Sequence, residues 1–382
     1  MNTNKGLARA EQIYLNRDSV ARSFKAAGKK TAGYFCCYPP SELVTALDYV
    51  PFRIIGDMNE PLTEADTYLP TVMCYFYRSI MDIAIKGKYD YIDAFIGAHA
   101  CDGAERVSYI WRSYINNPCS YYLDVPHTDR DAALDFFKAQ IIYMKEVLEK
   151  SAAKKATIAD IKDAIKIHNK QRSLVRRLYG LNKSDPPLIS GSEMLKVMVS
   201  IMSLPPEDGN QLLEEVIEEV KQRTDGPRKK SGRILVWGSL IDHVAFTDLI
   251  ESCDLNIVID DTAIGSRSFW IDVDELDDPF ESLAIRYLKK IVCPRTFRDT
   301  RKTRAEDLEN RFAYLKKMAQ DWNVNGVYMN IIRNCDIHGY EIPEVRDYFA
   351  SMGLPTLVIE QDYATTALEP LRTRFQAFAE SL

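Results

Sequence analysis

Eight cysteines are the residues of this chain best equipped for chemistry: Cys36, Cys37, Cys74, Cys101, Cys119, Cys253, Cys293 and Cys335. A thiolate is both a nucleophile and a soft metal ligand, so each is a buried apolar thiol, a reactive group or a ligand. No two are spaced Cys-x-x-Cys, which excludes zinc-ribbon and ferredoxin ligand patterns. Position is the remaining signal. Cys36 ends a first apolar run, Cys101 follows the run ending Phe95-Ile96-Gly97-Ala98, and Cys335 follows the run at 327–332. Cys74 lies just beyond Leu69-Pro70, near the start of a helical segment. Ligands of open α/β sheets gather outside the carboxyl ends of the strands, so these thiols are candidates to converge on one cluster. Position alone leaves the packing alternative open, and packing is the commoner role of an isolated cysteine. Cys119 and Cys253, on or beside apolar runs, read as core thiols.

Five histidines and one glutamate are the other candidates. His99 stands two residues before Cys101 and His338 three after Cys335. Each is placed to donate a proton or to hydrogen-bond a sulfur, against a surface or structural role. His168 lies among lysines and arginines and reads as solvated. Glu42, at the mouth of the first strand, is a candidate acid/base group; compensation of a helix N-terminus is the competing reading.

Several chemistries are excluded by what is missing. Gly28-Lys29-Lys30-Thr31 superficially suggests a phosphate-binding loop, but Lys30 stands where Ser or Thr is required and the upstream glycine is absent. No Gly-x-Gly-x-x-Gly follows an expected strand, and Gly-x-Ser-x-Gly and His-Glu-x-x-His are lacking. Nucleotide hydrolysis and hydrolase chemistry lose their usual signatures. A net charge of -6 over 382 residues argues against a nucleic-acid binder. Arg228-Lys229-Lys230 reads as part of a solvated linker. The first ten residues hold no continuous apolar region, and no apolar stretch approaches the roughly 20 residues that span a bilayer. The expectation is a cytoplasmic protein without a membrane partner, where disulfides are rare.

The elements that must position these residues follow from periodicity. Strand signals at 31–37, 53–55, 91–98 and 120–125 alternate with helical segments at 41 onward and 102–114, the rhythm of a mainly parallel sheet covered on both faces. Between 130 and 223 the pattern turns helical: Leu134, Phe137, Ile141, Met144 and Leu148 share one stripe, as do Ile158, Ile161 and Ile165. Residues 224–232 look like a linker. Strands then return at 233–238, 255–259, 326–332 and 355–359, with helices at 241–252, 279–289, 305–321, 343–352 and 366–380. The expected architecture is α/β: two mainly parallel-sheet domains, 1–129 with Cys74 and Cys101 and 224–382 with Cys335, and a helical domain or insertion at 130–223. Two α/β regions of related architecture are a weaker expectation.

Gly33-Tyr34-Phe35-Cys36-Cys37-Tyr38-Pro39-Pro40-Ser41-Glu42-Leu43, with Pro51-Phe52-Arg53 and Gly56, resembles the N-terminal signature of the benzoyl-CoA reductase/2-hydroxyacyl-CoA dehydratase family. The likeness continues at Ala65-Asp66-Thr67-Tyr68-Leu69, Cys74 with Arg78-Ser79, and His99-Ala100-Cys101-Asp102 with Arg106. It resumes at Asp260-Asp261, Ser266-Arg267-Ser268-Phe269, Asn325-Gly326-Val327 leading to Cys335, and Gly353-Leu354-Pro355 with Glu360 and Asp362. It closes at Arg374, Ala377-Phe378 and Glu380. Single pieces are unspecific; their order and spacing over nearly the whole chain carry the resemblance.

That resemblance implies a [4Fe-4S] cluster on Cys74, Cys101 and Cys335, its fourth iron open to substrate, water or sulfide, or capped by Cys36 or Cys37. It implies an acyl-CoA substrate whose thioester carbonyl accepts one electron to give a ketyl-like radical. It further implies a homologous partner subunit and a separate ATP-hydrolysing activator, which agrees with the missing phosphate-binding loop. Two branches fit: a benzoyl-CoA reductase subunit, and the β subunit of a 2-hydroxyacyl-CoA dehydratase. The double-cubane branch needs more cysteines between 50 and 100 than are present. A scaffold subunit whose partner holds the substrate, and a chain with a decayed, cluster-free site, are the alternatives.

Overall fold

Strands paired on both sides and covered by helices on both faces need apolar residues at every position, without alternation. The computed structural model, which describes residues 6–298 and 303–382, follows that rule: β3 (Ala94–Ala98), β5 (Gly232–Gly238) and β7 (Gly326–Ile332) are buried at every residue. Two helices, α1 (Gly6–Leu15) and α2 (Arg17–Ala26), precede the first sheet. Its elements run β1 (Lys30–Tyr34), α3 (Ser41–Ala46), β2 (Tyr49–Arg53), α4 (Tyr75–Ile85), β3, α5 (Asp102–Tyr114) and β4 (Cys119–Leu123). Four helices follow: α6 (Asp131–Glu149), α7 (Ile158–Gly180), α8 (Gly191–Ile201) and α9 (Pro206–Gln222).

The second α/β half runs β5, α10 (Val244–Ser252), β6 (Leu255–Asp261), α11 (Ser266–Phe269) and α12 (Pro279–Ala284), which passes into a π-helical turn at Ile285–Lys290. It ends with α13 (Arg304–Asp321), β7, α14 (Asp336–Ser351), β8 (Thr356–Gln361) and α15 (Arg372–Glu380). Both sheets have four strands, every pair is parallel, and their orders are β2-β1-β3-β4 and β6-β5-β7-β8. In each half, then, the second strand flanks the first and the chain crosses over to add the third and fourth. The halves share one topology, in line with the weaker expectation.

Tight approaches explain particular residues. A Cβ on Gly97 in β3 would lie 2.1 Å from Ser108 Oγ of α5, so this glycine lets helix and strand close up. Gly238, at the end of β5, has φ +149° and would place a Cβ 2.0 Å from the Asn330 carbonyl of β7; only glycine fits there. The helical segment packs on the first helix of the chain. Ser200 Oγ of α8 donates to the Ala10 carbonyl of α1 (2.7 Å), and Glu219 of α9 accepts from Leu7 N–H (2.8 Å).

Several expectations need correcting. α1 and α2 are additional to the expected elements, because their apolar stripes are narrow. α14 begins at Asp336, not at 343: Pro343 lies inside the helix. α15 starts at Arg372, after short 3₁₀ turns at 365–371. Lys230 is not wholly solvated, since its Nζ donates to the Glu251 and Leu255 carbonyls. His168 is buried, and its Nε2 is 2.9 Å from Thr45 Oγ1. The reason is its register: Ile161, Ile165, His168 and Arg172 fall on one face of α7. No helix among the described residues is long and apolar enough to cross a membrane.

Candidate functional site

In a parallel sheet whose order reverses, neighbouring crossovers leave in opposite directions, and a crevice opens at the carboxyl ends of the two strands. This chain has two such points, β1/β3 and β5/β7. Cys36 and Cys37 follow β1, Ala100 and Cys101 follow β3, Ser239 and Leu240 follow β5, and Cys335 follows β7. All line a single cavity of about 70 Å³. The two crevices therefore face one another, and the cavity lies on the seam between halves.

Six of the eight cysteines line it: Cys36, Cys37, Cys74, Cys101, Cys293 and Cys335. Three occupy the same local position. Cys74, Cys101 and Cys335 each stand at the N-cap of a helix, of α4, α5 and α14. Cys101 Sγ accepts the Ala104 N–H at 3.4 Å, as a capping side chain does. A helix N-terminus carries a partial positive charge, so three such ends meeting here favour an anionic occupant. Cys36 reaches the cavity from a left-handed turn, φ +68°, an uncommon conformation for a residue with a Cβ. Its carbonyl accepts from buried Arg53, whose own carbonyl accepts from Arg17.

The thiols do not titrate alike. Hydrogen bonds, first from Cys74 and then from His338, hold Cys335 well below the ordinary thiol value. Hydrogen bonding from Cys37, followed by the Arg267 charge, does the same for Cys293, and Cys37 also draws Cys36 down. Their partners move the other way: Cys74 is pushed well up by Cys335 and by burial, and Cys37 by Cys293, Cys36 and burial; Cys101 is separately pushed up to about 12, chiefly by burial. Within each hydrogen-bonded pair one thiol therefore ionises more readily than the other, and metal ligation would release the protons that remain.

Behind Cys335 stands a buried polar group. Arg267 makes an ion pair with Asp261 at 3.0 Å, both side chains 2% exposed. Tyr314 OH donates to Asp261 Oδ2 (2.8 Å), Arg267 also reaches the Gly238 carbonyl (3.1 Å), and His338 lies between Arg267 and Cys335. Asn334, beside Cys335, donates to the Met73 carbonyl (3.4 Å), tying the Cys335 turn to the Cys74 turn.

The other expected residues sit elsewhere. Glu42 does not line this cavity: fully buried on α3, its carboxylate is bound by Arg172 of α7 and accepts from Tyr287 OH (2.7 Å). His99, between β3 and Cys101, donates from Nδ1 to Asp124 Oδ1 (2.8 Å), and its Nε2 faces His127 Nε2 at 3.3 Å. Burial, then Arg295 and His99, hold His127 down to about 4, so it stays neutral. Cys119 and Cys253 are buried away from the cavity. Sequence reasoning gives no role to Cys293; nothing in its Ile-Val-Cys-Pro context marks it, and only the fold brings it beside Cys37. Arg267 and Asp261 are visible in the sequence only as members of a family-like segment.

Among the described residues, no group of three His, Cys, Asp or Glu side chains converges as a single metal ion would require. The cysteines border a cavity instead.

The amino-acid sequence of this chain places it in a family. Residues 36–382 match 2-hydroxyglutaryl-CoA dehydratase, D-component, and the chain belongs to that family. It is similar to the (R)-phenyllactyl-CoA dehydratase beta subunit of Clostridium sporogenes, 25% identical over 95% of this chain and 94% of that protein. It is also similar to a benzoyl-CoA reductase subunit of Thauera aromatica, 24% identical over 100% and 99% of the two chains. The lactoyl-CoA dehydratase subunit beta of Anaerotignum propionicum is 25% identical, over 98% of each. Its homologues are thus subunits of acyl-CoA dehydratases and reductases.

Proposed function

We propose that this chain is the iron–sulfur subunit of an acyl-CoA reductase or 2-hydroxyacyl-CoA dehydratase, with Cys74, Cys101 and Cys335 as ligands of a [4Fe-4S] cluster. The carrying observation is that these three thiols, from α4, α5 and α14, line one cavity where three helix N-termini meet. The donor set fits the group. Thiolates are the usual Fe–S ligands, and a cubane spreads its iron corners around a box, so its ligands surround a volume rather than a point. Apolar walls from Phe76, Ala100, Leu240 and Ile332 exclude water.

Such a cluster, when bound, supplies low-potential electrons and an iron able to polarise a thioester carbonyl. The chain's own residues do the rest. Arg267, His338 and Ser239 surround Cys335 with polar groups, while Cys36 is the candidate fourth ligand. His99, oriented by Asp124, is the candidate proton carrier at the outer side of the Cys101 turn. Glu42 serves the scaffold, joining α3 to α7. A cavity of about 70 Å³ is far below the roughly 300–1,000 Å³ of ordinary organic-ligand sites. That supports binding of most of the acyl-CoA on a homologous partner subunit or at its interface; the missing phosphate-binding loop agrees with electrons delivered by a separate ATP-hydrolysing activator. The cytoplasm is the compartment that suits such chemistry.

Anaerobic reconstitution with iron and sulfide, followed by electron paramagnetic resonance with and without acyl-CoA, tests this reading. A cubane signal altered by acyl-CoA supports a substrate-facing site. A signal indifferent to acyl-CoA in the complete complex favours the scaffold reading, and no iron uptake defeats both.

A further inference from the structure

An arginine side chain has donors and no acceptor, which fixes where a neighbouring imidazole carries its hydrogen. Arg267 Nη1 lies 3.1 Å from His338 Nε2, so Nε2 accepts. A neutral ring accepting at Nε2 carries its hydrogen on Nδ1. That Nδ1 is 3.4 Å from Cys335 Sγ. Arg267 cannot turn aside: Nε and Nη2 reach the Asp261 carboxylate at 3.1 and 3.0 Å, and Nη2 also donates to the Asp261 carbonyl at 2.7 Å. Burial alone would weaken its charge, but Asp261 outweighs burial and keeps Arg267 protonated. The ring is further held edge-on to Trp237, 5.4 Å between centroids. His338 itself is buried.

We propose that Asp261 and Arg267 lock His338 as the Nδ1–H tautomer, so that it donates an N–H···S hydrogen bond to Cys335 and makes a cluster bound there easier to reduce. The proposal rests on the cluster reading above. Its physics is general: a hydrogen bond to a ligand sulfur withdraws electron density and favours the reduced, more negative cluster. Atoms on α11, β6 and α14 thus act through Cys335 rather than on substrate. His338 is a positioning residue.

Two measurements decide it. In the metal-free protein, ¹⁵N-histidine NMR, with His338 assigned by its absence in His338→Asn, reports the tautomer directly. The expected pattern is a protonated Nδ1 and an unprotonated Nε2; the reverse overturns the proposal without touching the cluster reading. In the reconstituted protein, redox titration followed by electron paramagnetic resonance compares wild type, His338→Leu and His338→Asn at matched iron content. Leu removes the donor and shifts the midpoint potential downward. The Asn amide offers an N–H near the Nδ1 position and recovers part of the shift, which a merely structural loss would not do. If His338→Leu fails to load iron, the Asn variant alone decides: a potential below that of wild type supports the proposal, and an equal one overturns it. Equal iron with equal potentials overturns the proposal. A wild-type chain that takes up no iron defeats the cluster reading and this proposal together.

Discussion

The Glu42–Arg172 pair gives a quantitative prediction, because both groups are buried and the carboxylate has nowhere else to go. Burial by itself would raise the Glu42 pKa; Arg172, then His168 and Arg286, outweigh it and bring it from 4.5 to about 2. A carboxylate held below its unfolded value stabilises the fold above that value, and the stabilisation is lost as pH falls through the folded one. At about 1.36 kcal/mol per pH unit, the depression corresponds to about 3 kcal/mol at neutral pH. By linkage, about 1.4 kcal/mol of this is gone by pH 3.5. Removing one partner, as in Arg172→Met, leaves a buried charge and costs about 3–5 kcal/mol. Replacing both, as in Glu42→Leu/Arg172→Met, recovers much of that loss. Urea unfolding at pH 7 and pH 3.5 measures each: the gap between wild type and Glu42→Gln narrows by about 1.4 kcal/mol on acidification. A gap that stays constant or widens with acid would refute the reasoning, as would Arg172→Met costing less than about 1 kcal/mol.

Cys101→Ala and Cys335→Ala each abolish iron loading on anaerobic reconstitution, whereas Cys253→Ala, buried elsewhere, leaves iron content intact; full iron in Cys101→Ala refutes the ligand assignment. Gly97→Ala forces a Cβ against Ser108 and costs about 1–3 kcal/mol, most of it returned by Ser108→Gly in the double variant, as urea midpoints report. Asp242, pushed up to about 6 by burial despite the Tyr363 hydroxyl, contributes stability that is present below about pH 4 and lost as pH rises through 6. The stability advantage of wild type over Asp242→Asn therefore declines between pH 4 and 7, and an advantage that grows over that range contradicts the assignment.

Much of the architecture is legible in the order of residues. Runs such as Phe95-Ile96-Gly97-Ala98 and 326–332 announce strands buried on both faces, and the return of that rhythm after residue 224 announces a second sheet. The strand-end positions of Cys101 and Cys335 point to the crevice, since strand polarity is readable from the strand–helix order alone. What stays hidden depends on distant partners. Cys293 carries no local mark, yet folding sets it beside Cys37. His168 reads as solvated because Lys166 and Lys170 beside it project into solvent, while its own face of α7 is buried. Glu42 reads as free because Arg172 lies 130 residues away. The helix start at Asp336 is masked by Pro343, which usually signals a first turn.

The meeting of two like-ordered sheets at one thiol-lined seam has a mechanical consequence. Neither body closes the ring of sulfurs alone, so any inorganic core held there grips both and acts as a clasp. Its grip adds to the docking of the bodies by RT ln(1 + [L]/Kd), about 2.7 kcal/mol at a hundredfold excess over Kd. Conversely, parting the two bodies would open the ring and expose its sulfurs to water and oxygen together. Filling and shutting the seam are therefore one event.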